Sequence, residues 1–228
     1  MLAACGGTPN ETSANAPANT ITADPATPAA RSAVAVSGPK RLVLAFGDSL
    51  YAGYGLNRGQ SLPDAIERQL RAKGVDATLF NAGVSGDTTA GGRRRLAYTL
   101  DRLDRKPDLV LLGLGGNDVL RQIDPADTRA NMQAMLVELD RRGIPVVMTG
   151  MLAPPNLGPD YANRFNTVWP TLARAHGAVL DPFILQGVIG NRALMLPDGV
   201  HPNARGVARI ADRVTPLVER RLAELPAS

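Results

Sequence analysis

Gly47-Asp48-Ser49-Leu50 sits directly behind a short apolar run, and Asp198-Gly199-Val200-His201-Pro202 lies near the other end of the chain. A neutral serine hydroxyl is a poor nucleophile and needs a base within hydrogen-bond reach. Imidazole suits that task because its unperturbed pKa lies near neutrality. A carboxylate three residues upstream on the same loop can hold the imidazole in the required tautomer. The chain has two histidines, so a serine–histidine mechanism must use His201 or His176. His176-Gly177 reads as a helix C-terminus, where a histidine answers the helix dipole and glycine ends the helix. Taken alone, the serine block also reads as an Asp/Ser turn or helix cap, and residues 198–202 as a turn ahead of the last helix.

Two further blocks follow apolar runs. One is Asn81-Ala82-Gly83-Val84-Ser85-Gly86-Asp87-Thr88 and the other is Gly115-Gly116-Asn117-Asp118. A glycine at a strand end can turn its backbone N–H towards a ligand, and an asparagine amide can donate a hydrogen bond. These are the parts of an oxyanion hole, although each block alone also reads as a Gly-rich strand-to-helix turn. Gly113-Leu114-Gly115-Gly116 lacks the G-x-G-x-x-G spacing and no G-x-x-x-x-G-K-[ST] occurs, so nucleotide binding has little support. The absence of a G-x-S-x-G elbow argues against an α/β-hydrolase. Cys5 is the only cysteine, which excludes a disulfide framework and any thiolate-rich zinc or iron–sulfur site. Two histidines argue against a multi-histidine metal site.

The elements that must position these residues alternate. Strand signals cover Arg41–Phe46, Asp76–Phe80, Asp108–Leu112, Ile144–Thr149 and Ala178–Leu180, in near-continuous apolar runs that suit strands buried on both faces. Helical stretches fall at Ser61–Lys73, Thr88–Asp104, Pro125–Arg142, Tyr161–His176 and Asn203–Leu222. Pro216 lies inside the last and should kink or split it. Such alternation predicts a parallel sheet with helices on both faces, whose ligands bind outside the carboxyl ends of the strands. The strand order is not legible.

In this order and at these strand ends, the four blocks resemble the GDSL, or SGNH, hydrolases over about residues 42–215. Ser49 matches the family's serine, Gly86 its glycine, Asn117 its asparagine and His201 its histidine. Asp198 matches the aspartate three residues before that histidine. The wording GDSLYAGYGL, NAGVSGDTT, LGGNDVLR and DGVHPN is most similar to the arylesterase, thioesterase I and lysophospholipase branch. The resemblance implies a three-layer α/β/α fold with a flavodoxin-like, five-stranded parallel sheet. It also implies hydrolysis of carboxylic esters and thioesters without a cofactor. Ser49, His201 and Asp198 would be the catalytic residues, and the Ser49 N–H, Gly86 N–H and Asn117 amide the oxyanion hole. Asp48 is assigned to bracing the turn.

The implied partner is a small ester or lipid. Met151-Leu152-Ala153-Pro154-Pro155-Asn156-Leu157-Gly158-Pro159 follows the fourth strand and is apolar, which makes Pro154 and Leu157 candidates for one wall of an acyl groove. The stretch also reads as a stiff surface loop. A sugar O-acetyl esterase on the same fold and a non-catalytic surface lipoprotein stand as alternatives.

Residues 1–38 read as a separate region from the hydrolase domain at 39–228. Among residues 6–38 all but six are Ala, Thr, Pro, Asn, Ser or Gly, too little apolar surface to offset chain entropy, so a disordered linker is expected. Leu2-Ala3-Ala4-Cys5-Gly6 resembles a bacterial lipobox, with Cys5 as the lipidated residue of a precursor carrying a charged and apolar leader. Lipoprotein anchoring facing the periplasm is therefore expected, with a soluble secreted or periplasmic protein, Cys5 being a chance residue in a tail, as the alternative. The net charge of +4 is scattered apart from Arg93-Arg94-Arg95 and pairs such as Arg220-Arg221, which reads mainly as solvated helix faces. Aromatics are 4% and no nucleic-acid module is recognisable, so nucleic-acid binding is not expected.

Overall fold

The apolar runs pair as five parallel strands in a computed structural model that describes residues 35–226. They are β1 (Ser37–Gly47), β2 (Val75–Gly83), β3 (Leu109–Gly113), β4 (Val146–Thr149) and β5 (Val179–Asp181), in the order β2-β1-β3-β4-β5. The helices are α1 (Ser49–Ala52), α2 (Leu62–Ala72), α3 (Thr89–Asp101), α4 (Gly116–Leu120), α5 (Pro125–Arg141), α6 (Pro159–Asn166), α7 (Val168–Ala175) and α8 (Ala204–Ala223). The architecture is α/β, with α2 packed against α8 and α3 packed against α5. The chain moves one way from β1 to β2, then crosses β1 to reach β3 and continues to β4 and β5. Right-handed crossovers therefore put α2 on one face of the sheet and α3 and α5 on the other. The switch of direction lies between β1 and β3, and ligand crevices form at such a point.

Strand character follows sheet position. Leu109–Gly113 and Val146–Thr149 are buried throughout, as expected of central strands. Strand β2 departs from that expectation: it lies at the edge, its burial is uneven, and Phe80 is 48% exposed. Strand β1 starts earlier than Arg41, because Ser37 pairs with Val75 ahead of a register shift.

Two helices differ from their sequence reading. Pro216 does not split α8, which runs unbroken from Ala204 to Ala223. Its missing N–H would have bonded the carbonyl of Asp212; both residues are exposed, so water can take that carbonyl. Val207, Ile210, Ala211, Val214 and Val218 meanwhile bury the opposite side. The stretch at 161–176 is two helices, broken at Thr167, whose Oγ donates to the Arg164 carbonyl (2.9 Å). Helix α2 begins with a reciprocal capping box between Ser61 and Asp64. Further along, Glu67 takes the Leu79 N–H (2.8 Å) and ties α2 to β2.

Two contacts fasten α8 and α1 at the carboxyl edge of the sheet. Buried Asp181 at the end of β5 accepts a forked pair from Arg213 of α8 (2.8 and 2.9 Å). The same guanidinium donates to the carbonyls of Phe183, Ile184 and Gln186, so α8 holds the loop after β5. At the end of β2, Gly83 lies against the backbone of α1. A Cβ there would fall 2.3 Å from the Ala52 nitrogen, so only glycine lets α1 pack down.

Candidate active site

Ser49 opens α1 directly after β1, because Asp48 caps that helix by accepting the Leu50 N–H (3.0 Å). As the first helical residue, Ser49 has an N–H that no helix carbonyl can take. Its Oγ lies 2.9 Å from His201 Nε2. His201 Nδ1 lies 2.7 Å from Asp198 Oδ2. With the Nδ1 proton donated to that carboxylate, Nε2 is the lone-pair nitrogen that faces the serine. The other oxygen of Asp198 accepts the Val200 and His201 N–H groups, both at 2.9 Å. Those two bonds fold residues 198–201 into a tight loop, closed by the Leu196 N–H donating to the His201 carbonyl (2.7 Å). The Tyr54 ring packs over the imidazole at 4.5 Å between centroids.

Gly86 and Asn117 line the same cavity as Ser49 and His201. Gly86 has φ +84, a conformation costly for an L side chain, and its carbonyl is turned away to accept from Arg121 (2.8 Å). One Asn117 amide proton goes to the Asp87 carbonyl (2.9 Å), which fixes the amide plane. Asp118, fully buried behind it, accepts from the Thr89 N–H (2.8 Å), the Thr89 hydroxyl and the Thr128 hydroxyl (3.1 Å).

The cavity has a volume of about 750 Å³. Leu50, Tyr54, Val119, Leu120, Met151, Phe183, Leu185 and Ile189 make most of its wall apolar. Pro154 lines it as the sequence suggests, but Leu157 does not. A 3₁₀ turn over Pro155–Leu157 carries Leu157 onto the hydrophobic core instead. The wall residues on α4 and after β5 carry no signal in the sequence, since isolated apolar residues there read as core. His176 closes α7 away from the cavity, bonded to Gln133 and Asp140.

The carboxylates flanking the serine and histidine are held in opposite senses. Partial burial pushes Asp198 up, but hydrogen bonds from the His201 and Val200 N–H groups and the imidazole, with attraction to His201, outweigh it and hold the group at about 2. Its contribution is thus present above the ordinary carboxylate range and is lost only as pH falls through about 2. Burial pushes Asp48 up to about 6, with the Leu50 N–H and His201 opposing.

The Gly-Asp-Ser-Leu block, the Asn117 turn and the Asp198–His201 loop fall within a match to the model of the GDSL-like Lipase/Acylhydrolase family, which spans residues 45–209. The chain is 37% identical over 177 residues to "Esterase TesA" of Pseudomonas aeruginosa, covering 78% of this chain and 87% of that protein. It is 39% identical over 183 residues to "Arylesterase" of Vibrio mimicus, covering 80% and 90%. The solved structure of AlinE4, a SGNH-hydrolase family esterase, is 46% identical with a TM-score of 0.69, covering 83% of this chain and all of that one.

Asp48 generates a prediction on stability. Between pH 3.8 and about 6 the folded protein holds a proton there that the unfolded chain releases, so stability falls as pH rises through that window. Unfolding free energies from urea titrations at pH 5 and pH 8 should therefore differ less in Asp48→Asn than in wild type, by about 1 kcal/mol. An equal pH difference in both proteins would remove Asp48 as its source.

Proposed function

The chain belongs to the GDSL-like lipase/acylhydrolase family, and on that premise we propose that it hydrolyses carboxylic esters and thioesters through Ser49, His201 and Asp198. Its relatives over most of its length are esterases, and the chain is an ester hydrolase of this family. The observation that carries the finer reading is the hydrogen-bonded series Ser49–His201–Asp198 opening onto an apolar cavity.

Ser49 Oγ attacks the ester carbonyl while His201 Nε2 takes its proton. Asp198, ionised and held by backbone N–H groups, stabilises the imidazolium that forms. The Ser49 N–H, the Gly86 N–H and the remaining Asn117 amide proton receive the oxyanion. His201 then returns the proton to the leaving alcohol or thiol, which departs and leaves Ser49 acylated. Water, activated by the same imidazole, attacks the acyl-serine and releases the acid. The apolar walls favour acyl and aryl esters, acyl thioesters and lysophospholipids over acetylated sugars, whose hydroxyls would meet few polar partners there.

Ser49→Ala should lose roughly 10⁴-fold or more in turnover and all labelling by a fluorophosphonate probe, with its fold intact. His201→Ala should be almost inactive and His176→Ala active. Turnover near wild type in the serine variant would end the assignment.

A panel of p-nitrophenyl esters tests the acyl reading. Each methylene added up to the cavity's length should raise kcat/KM by at most about fourfold, the factor set by burying one CH₂. An acetylated sugar outperforming every longer acyl ester would favour the sugar O-acetyl esterase instead.

The proposal extends to location. Cys5 lies outside the described residues, and only the Leu2-Ala3-Ala4-Cys5 string and the composition after it support lipidation and membrane anchoring facing the periplasm. Cell fractionation with mass spectrometry of the mature N-terminus should find modified Cys5 in the membrane fraction. Soluble protein with unmodified Cys5, unchanged by Cys5→Ser, would sink the anchor.

A further inference from the structure

Arg93-Arg94-Arg95 reads in sequence as part of a solvated helix face, and the structure separates its members. Arg94 is exposed and Arg93 reaches Asn131 on α5. Arg95 turns inward, its side chain only 21% exposed, with the guanidinium carbon 3.8 Å from the centroid of the buried Phe46 ring. Its three nitrogens donate to three places. Nη2 reaches the Gly47 carbonyl (2.9 Å), Nη1 the Ala82 carbonyl (2.8 Å) and Nε the Asp87 carboxylate (2.6 Å).

Those places lie on two segments that between them position the three oxyanion donors. Gly47 ends β1 and is followed by Asp48 and Ser49, whose N–H is the first donor. Ala82 and Asp87 bracket the loop that contains Gly86, the second. The Asp87 carbonyl accepts one amide proton of Asn117 and so aims the other, the third. The Gly47 carbonyl also accepts the Val84 N–H (3.0 Å), which ties the two segments at the point where Arg95 grips them. A planar guanidinium presents donors in a fixed fork, whereas an ammonium offers one compact point of contact. Two segments far apart in sequence, at Gly47 and at Ala82–Asp87, meet at one cation, itself anchored on a 13-residue helix, and the second of them holds the Asn117 amide through the Asp87 carbonyl.

We propose that Arg95 is a positioning residue for the oxyanion site, holding the segments that carry Ser49 and Gly86 in register from behind, and through Asp87 the Asn117 amide, while touching no substrate itself. The inference rests on the reading of Ser49, Gly86 and Asn117 given above. Donors aimed at the developing oxyanion lower the barrier to the chemical step more than they strengthen substrate binding. Loosening all three should therefore appear in kcat.

The test uses the full chain and p-nitrophenyl esters, with Arg95→Gly and Arg95→Lys. Arg95→Gly should lose about 10–100-fold in kcat with KM within about twofold, less than the loss of a donor outright. Guanidinium at tens of millimolar, well below denaturing levels, should restore part of that kcat and leave wild type unchanged. Arg95→Lys keeps the charge and loses the fork, so its kcat should lie between the two. If Arg95→Gly does not fold, Arg95→Lys carries the test, with a kcat loss at unchanged KM in folded protein as the expected result. Folded variants with wild-type kcat, a loss confined to KM, or a lower melting temperature with no effect on kcat would overturn the proposal. Fluorophosphonate labelling and turnover of wild type separate the two readings. If wild type labels at Ser49 and the Arg95 variants match it, the role of Arg95 fails and the site stands. If Ser49→Ala keeps its activity, the underlying site reading fails first.

Discussion

The 2.9 Å hydrogen bond between Ser49 Oγ and His201 Nε2 joins residues 152 positions apart. Nothing local can hold two side chains at that separation. Ser49 is fixed because β1 lies inside the sheet and Gly83 lets α1 settle against the end of β2. His201 is fixed because its loop precedes α8, and α8 is fastened to β5 through Arg213 and Asp181. Helix α8 also meets α2 through Gln69–Asp212 (2.8 Å) and the Lys73–Glu219 ion pair. These exposed pairs contribute little singly. Val207, Val214 and Val218 beneath them are buried and supply most of the adhesion.

Buried polar groups cluster at the carboxyl edge and next to it. Asp48, Asp118, Thr89, Thr149 and Asp181 are all buried there or behind it. Each burial would cost several kcal/mol without partners, so each group has them. Asp118 collects three donors, and Asp181 a forked arginine. Tyr51 shares a hydrogen bond with Thr149 (2.9 Å) beneath α1, and burial pushes its hydroxyl well above the ordinary tyrosine range. Asp48 is the less well compensated, and its raised pKa records a burial that one backbone N–H does not offset. The turn carrying Ser49 is therefore held partly at a cost in stability.

The apolar cavity and the polar edge meet along one line, from Ser49 to Asn117. On one side an acyl chain would shed water against Leu120, Met151 and Phe183. On the other, charge developing on oxygen would meet fixed N–H donors. Arg213 and Arg95 stand behind the two sides, one bound to the loop after β5 and the other to Gly47 and Asp87. Arg213 holds loop carbonyls, and Arg95 carbonyls at the ends of β1 and β2.

What could be read from the sequence was local. Apolar runs ending in Gly-Asp-Ser, Asn-Ala-Gly or Gly-Gly-Asn marked strand ends, because backbone polar groups must be paired wherever the chain is buried. Helix caps at Ser61 and Asn203 were local for the same reason, as was the Asp198–His201 turn, whose partners lie three residues apart. Tertiary structure decided the rest. The strand order depended on which helices share a face, and the cavity wall on residues from α4 and after β5 that no spacing relates. The unbroken course of α8 through Pro216 depended on which side of it faces water. Leu157 turned to the core, and Arg95 left the solvent, because their partners come from distant segments. A sequence records each residue's chemistry, but a contact between distant segments exists only once burial has brought them together.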